Sequence, residues 1–135
     1  MQLQHKKILA QIAVEKADEA LKSSYENLEI NLNTAQNRAY YAIFYIVSAL
    51  AYLDEFQSKS HHYLQGQFNK KYVHEQKLFD SSLTKIYKEL IFNRETSDYD
   101  FTVKLNKEGV LRDIENAKIF IDTVKPYIMK RLEEE

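Results

Sequence analysis

Ala39-Tyr40-Tyr41-Ala42-Ile43-Phe44-Tyr45-Ile46-Val47-Ser48-Ala49-Leu50-Ala51-Tyr52-Leu53 is a run of fifteen residues without a formal charge. The chain around it is polar, with a mean hydropathy of −0.53 and 29% charged residues. A helix that is apolar on most sides must be buried on most sides. The run is short for a bilayer core, which takes about 20 apolar residues, and four of its residues are tyrosines. It reads as the central helix of a soluble bundle, with no membrane role.

The flanks give that helix its neighbours. Upstream, Ile8, Ile12, Ala17, Ala20, Leu21, Tyr25 and Leu28 recur at steps of three and four, while Lys6, Lys7, Glu15, Lys16, Glu19 and Lys22 take other faces. This predicts an amphipathic helix over 3–28. A polar break at 30–34 follows, where Asn33 and Gln36 have the spacing of a capping box. Downstream, 54–60 is a second break, and Ser60 is placed to cap a third helix over 61–74, with Leu64, Phe68 and Tyr72 on its apolar edge. A fourth helix begins near Gln76 or Leu78 and carries Phe79, Leu83, Ile86, Tyr87, Leu90 and Ile91, with Arg94 continuing the line. Residues 96–107 show no period and read as a loop. A last helix, starting near Lys107, buries Leu111, Ile114, Ala117, Ile121, Val124 and Ile128, and Pro126 is expected to bend it or interrupt its hydrogen bonds.

With two glycines and one proline in 135 residues, the chain lacks the turn residues that many short strands need. The expectation is one all-α domain over 1–135, an up-and-down bundle of about five helices. Nineteen basic residues against twenty acidic ones leave a net charge of −1, so no general attraction to polyanions follows. The absence of cysteine excludes disulfides, thiolate metal sites and a cysteine nucleophile, and agrees with a cytoplasmic location. No signal peptide is visible at the start of the chain.

Three stretches now read together: Asn37-Arg38-Ala39-Tyr40-Tyr41-Ala42 at the head of the uncharged helix, Lys59-Ser60-His61 at the head of the third, and Arg94-Glu95-Thr96-Ser97-Asp98-Tyr99-Asp100 after the fourth. Their order and spacing resemble the small single-domain prokaryotic branch of the HEPN superfamily, over about residues 17–127. The resemblance implies a helical bundle that forms a homodimer. It also implies a minimal nucleotidyltransferase as partner, in a toxin–antitoxin or defence pair, and nucleotide or RNA as ligand. Many members of that superfamily are metal-independent ribonucleases with an Arg followed, four to six residues on, by a His. Here Arg94 is followed by Tyr99, Asp100 and Phe101, and no histidine occurs after His74, so that ribonuclease pattern is absent. The expectation is therefore a binding or regulatory component, with a diverged ribonuclease built on Arg94, Asp98 and Tyr99, or a nucleotide-binding module without catalysis, as the alternatives.

The residues that can carry chemistry are few. Two of the four arginines, Arg38 and Arg94, lie in these stretches, and an Arg can hold a phosphate through two parallel hydrogen bonds. One reading has Arg94, with Arg38, contacting phosphate while Tyr41 or Tyr99 stacks on a base. The other has Arg94 paired with Asp98 or Asp100, fixing the end of its helix. His61 either positions the third helix or, if the fold brings it close, serves Arg94 as a general base. His61 and His62 diverge on a helix and make a poor metal pair, so no metal and no cofactor is expected. The candidate binding residues are Arg38, Tyr41, His61, Arg94, Asp98 and Tyr99.

Overall fold

A computed structural model describes residues 2–99 and 104–134, with the backbone alone at position 99. The described residues form helices and turns without strands, in the order α1 (Leu3–Asn27), α2 (Leu32–Asp54), α3 (His61–Phe68), a π-helical segment (Asn69–Glu75), α4 (Ser81–Tyr99) and α5 (Lys107–Glu134). The helices pack as an all-α bundle, with α2 in contact with α1, α3, α4 and α5. Its uncharged run is accordingly buried: Ala39, Tyr40, Ala42, Ile43, Ile46, Val47, Ala49, Leu50 and Ala51 are all closed to solvent. No described helix is long and apolar enough to cross a membrane.

The most extensive contact is between α1 and α2, joined by a short connection and therefore antiparallel. Here the expected stripe is corrected. Ile8, Ile12 and Tyr25 are exposed, and the buried face of α1 is Ala10, Ala13, Val14, Ala17, Ala20 and Ser24. Small side chains let two helices approach closely, and both helices bury alanines: Ala10, Ala13, Ala17 and Ala20 on α1, and Ala35, Ala39, Ala42 and Ala49 on α2. A second core region is aromatic: Phe68, Tyr87 and Phe120 meet with ring centroids 5.0–6.0 Å apart.

The helix ends differ from expectation in informative ways. Asn31, and not Asn33, caps α2, its side chain accepting from the Thr34 amide at 3.0 Å. Gln36 is thereby released from a capping role and turns inward. Ser60 caps α3 as expected, accepting from the Tyr63 amide. The third helix is α-helical only to Phe68 and then widens, the Gln76 amide reaching back to the Lys71 carbonyl. The fourth starts later than expected, at Ser81, and runs on to Tyr99 through residues read as loop. α5 continues through Pro126, which sits on the solvent side. The carbonyl it leaves unpaired, that of exposed Asp122, can bond to water.

Candidate functional site

Three helices converge beside the head of α2. That helix supplies Arg38, Tyr40, Tyr41 and Phe44, α3 supplies its first residue, His61, and α4 supplies Arg94 and Asp98. The Ser60 cap fixes the direction in which α3 starts, and so sets His61 over α2. The His61 ring stacks on Phe44 at 4.7 Å and meets Tyr41 edge-on at 5.8 Å. Its Nδ1 shares a hydrogen bond with the Tyr40 hydroxyl. The Arg94 guanidinium lies 5.2 Å from the centre of the Tyr40 ring and 5.4 Å from that of Tyr41. Arg38 lies 4.9 Å from the Tyr41 ring. Tyr40 thus touches both the histidine and the arginine.

Arg94 also pairs with Asp98, one turn on, through Nε at 3.2 Å. That fulfils the structural reading, because α4 runs far enough for the pair to form on helix. No described residue takes a hydrogen bond from the Arg94 Nη groups. Arg38 bonds only to the Asn37 side-chain oxygen, at 2.8 and 3.1 Å, and pairs with no described carboxylate. Burial, and after it the charge of Arg94 and of His62, hold the His61 pKa below its ordinary value, against an opposing pull from Glu95. His61 is therefore neutral near pH 7. Burial pushes the Tyr40 hydroxyl well above its ordinary range, so it stays protonated.

A buried polar cluster underlies this arrangement. Asp113 of α5 accepts from Gln36 of α2 at 2.9 Å and from Asn93 of α4 at 3.1 and 3.2 Å. Gln36 lies one turn before Tyr40, and Asn93 immediately precedes Arg94. The cluster therefore ties together α2 and α4, two of the three helices that carry the site. Burial raises the Asp113 pKa, against the hydrogen bonds from Gln36 and Asn93.

Of the residues proposed from sequence, Arg38, Tyr41, His61, Arg94 and Asp98 are brought together. The side chain of Tyr99, and Asp100 altogether, lie outside the described residues. Sequence reasoning passed over Tyr40, treating it as core. Its ring is core and lies against Arg94, while its hydroxyl bonds to His61. The Tyr40-Tyr41 pair in the first stretch was the available signal. Among the described residues, no three His, Asp or Glu side chains cluster as metal ligands.

A profile of the family described as "HEPN domain" matches residues 10–127. A "Putative toxin" of Methanocaldococcus jannaschii is 32% identical over 133 residues, 97% of this chain and 88% of its own length. A "UPF0332 protein" of Thermotoga maritima is 34% identical over 97 residues, 72% of this chain and 73% of its own.

Proposed function

The chain belongs to the HEPN family, and from that premise we propose that it acts on RNA as a toxin-type, metal-independent ribonuclease whose histidine comes from α3 instead of following Arg94 along the chain. The observation that carries this reading is the Tyr40 contact to both His61 and Arg94. It supplies an Arg–His pair in three dimensions where the linear pattern is missing. The toxin-named relative, aligned over nearly the whole chain, supports the biological direction.

The chemistry follows from the protonation states. When Tyr40 accepts from the His61 Nδ1–H, the Nε2 lone pair is free to act as a base. Nε2 takes the proton from an RNA 2′-hydroxyl, and the O2′ attacks the adjacent phosphorus. The P–O2′ bond forms as the P–O5′ bond breaks, and the leaving O5′ receives the proton back from His61. The products are a 2′,3′-cyclic phosphate and a 5′-hydroxyl, with no oxidant, metal or cofactor required. The Arg94 Nη groups, unused by Asp98, face the charge that builds on the phosphoryl oxygens.

The test is cleavage of a single-stranded RNA by purified protein in chelator. Arg94→Ala and His61→Ala should each slow it by about a hundredfold or more while leaving the helical circular dichroism intact. Intact RNA with wild-type protein would leave a binding module in place of an enzyme.

A protein partner, as homodimer or with a nucleotidyltransferase, is a second reading supported by exposed apolar side chains. Ile30, Phe92 and Ile119 are 79%, 67% and 52% exposed, apolar surface that a partner would cover. Copurification with the product of a neighbouring gene, and light scattering of the isolated chain, test it. A monomer that captures nothing counts against it.

A further inference from the structure

We propose that the groove between α1 and α2 is a track for single-stranded RNA, with bases stacked on Tyr41, Tyr45 and Tyr52 and phosphates held by Lys16, Arg38 and Lys59. It rests on the RNA-directed reading above and names how the strand reaches His61.

The groove has a volume of about 700 Å³, and His61 is among the residues that line it. Tyr41, Tyr45, Ser48 and Tyr52 also line it, spaced four, three and four residues apart, so they form one row along α2. Each of these tyrosines is half-buried, with its ring held in place and part of it offered to the groove. Across from them, α1 contributes Leu9 and Ile12, the latter 43% exposed despite its size. The rings alternate with cations. The Lys16 Nζ lies 5.7 Å from the Tyr45 ring centre, and Arg38 lies 4.9 Å from that of Tyr41. Lys59, two residues before His61 in the chain, also lines the groove.

Charge decides the occupant. The chain has twenty acidic residues, yet no Asp or Glu lines this groove. Lys16, Arg38 and Lys59 form no ion pair with a described residue, whereas Lys6, Lys118 and Lys125 each do. Arg38 stands beside the groove, in an adjoining pocket that it shares with Lys16, Tyr45 and one carboxylate, Glu19. Aromatic faces interleaved with uncommitted cations are what a single strand needs, since every base has a face to stack and every link a charge to neutralise. A duplex has its bases already stacked, and an apolar peptide would gain nothing from the cations. The row from Tyr41 to Tyr52 spans about 16 Å along the helix, room for about five stacked nucleotides.

The experiment uses fluorescein-labelled 2′-O-methyl oligouridines, which cannot be cleaved by 2′-hydroxyl attack, so binding is read apart from catalysis. Anisotropy should show affinity rising from dinucleotide to tetranucleotide and levelling by the octanucleotide. Tyr45→Ala and Tyr52→Ala should each weaken tetranucleotide binding by about fivefold to a hundredfold, and Tyr45→Phe by less than about twofold. Lys16→Gln and Lys59→Gln, both at exposed positions where the core is untouched, should each reduce the salt slope by about 0.7. No binding, equal binding of duplex, or wild-type affinity in both alanine variants overturns the track. Dissociation of a dimer by Tyr45→Ala with RNA affinity unchanged also overturns it, and assigns the groove to a second copy. If groove variants lose binding while no RNA is ever cleaved, the track stands and the ribonuclease reading falls. If an unmodified dinucleotide is cleaved while the groove variants bind as wild type, the reverse holds.

Discussion

At the scale of single residues, the two deeply set tyrosines next to the site have opposite fortunes. The Tyr40 hydroxyl is committed to His61, while the Tyr87 hydroxyl is buried with no hydrogen-bond partner among the described residues. An orphaned buried hydroxyl carries its full desolvation cost, so removing it leaves nothing worse behind. Tyr87→Phe should therefore be neutral or stabilise the fold by up to about 1 kcal/mol, measured by denaturant titration. Tyr40→Phe removes the group that fixes the His61 tautomer. It should lower RNA cleavage about tenfold or more while the fold remains intact, and shift the acid limb of the pH–rate profile, which a purely structural tyrosine would not do. An unshifted profile would return Tyr40 to the core.

At the scale of helices, the α1–α2 seam depends on small side chains. Ala17 is fully buried between helices that pack closely, so Ala17→Leu should cost about 1–3 kcal/mol by overpacking, read as a lowered denaturation midpoint. The exposed Ile12→Ala on the same helix should cost well under that. The contrast explains what could be read from the sequence and what could not. The helices of α2 and α5 were legible because large apolar residues mark their buried faces. On α1 the large residues point outward and the alanines inward, so a stripe drawn by size follows the wrong side in part. The cap at Asn31 was hidden among three nearby asparagines, any of which fits a capping rule. The site was legible as residues but not as geometry. Arg38, Arg94 and His61 stood out by type and by resemblance, but their meeting depends on how α3 and α4 cross α2, which no local pattern encodes. The Gln36–Asp113 contact joins residues 77 positions apart and has the same origin.

At the scale of the whole molecule, three titrating groups set how the bundle responds to acid, and they do not act alike. His61 has a pKa depressed below its ordinary 6.5, so the unfolded chain binds this proton first. Stability from His61 is present above pH 6.5 and is lost as pH falls below it, down to the folded value. Asp113 has a pKa raised above 3.8 by burial, so its ionised form costs stability at neutral pH, and that cost lifts as pH falls through the raised value. Asp54 joins the ends of α2 and α5 through two hydrogen bonds from Arg131, at 2.8 and 2.9 Å, and a third from Tyr72. Burial pushes its pKa up, but the hydrogen bonds from Arg131 and Tyr72 prevail and leave it below 3.8. Stability from Asp54 is therefore present above pH 3.8 and is lost as pH falls further, through the folded value. The expected profile loses the His61 contribution as pH falls below 6.5, regains stability as Asp113 takes its proton above pH 3.8, and loses the Asp54 contribution below pH 3.8. Denaturant midpoints across that range check it, and each variant should remove one feature. His61→Gln should flatten the first fall. Asp113→Asn should abolish the recovery and change stability at pH 7 by less than about 1 kcal/mol, because an amide can exchange hydrogen bonds with Gln36 and Asn93 as the carboxylate did. Asp113→Ala, which strands both amides, should cost about 2 kcal/mol or more. Arg131→Gln should move the acid collapse to higher pH, since Asp54 then loses the charge that keeps it ionised. A profile that is unchanged in all of these variants would mean that the charge pattern of the bundle as a whole, and not these three groups, governs its acid response.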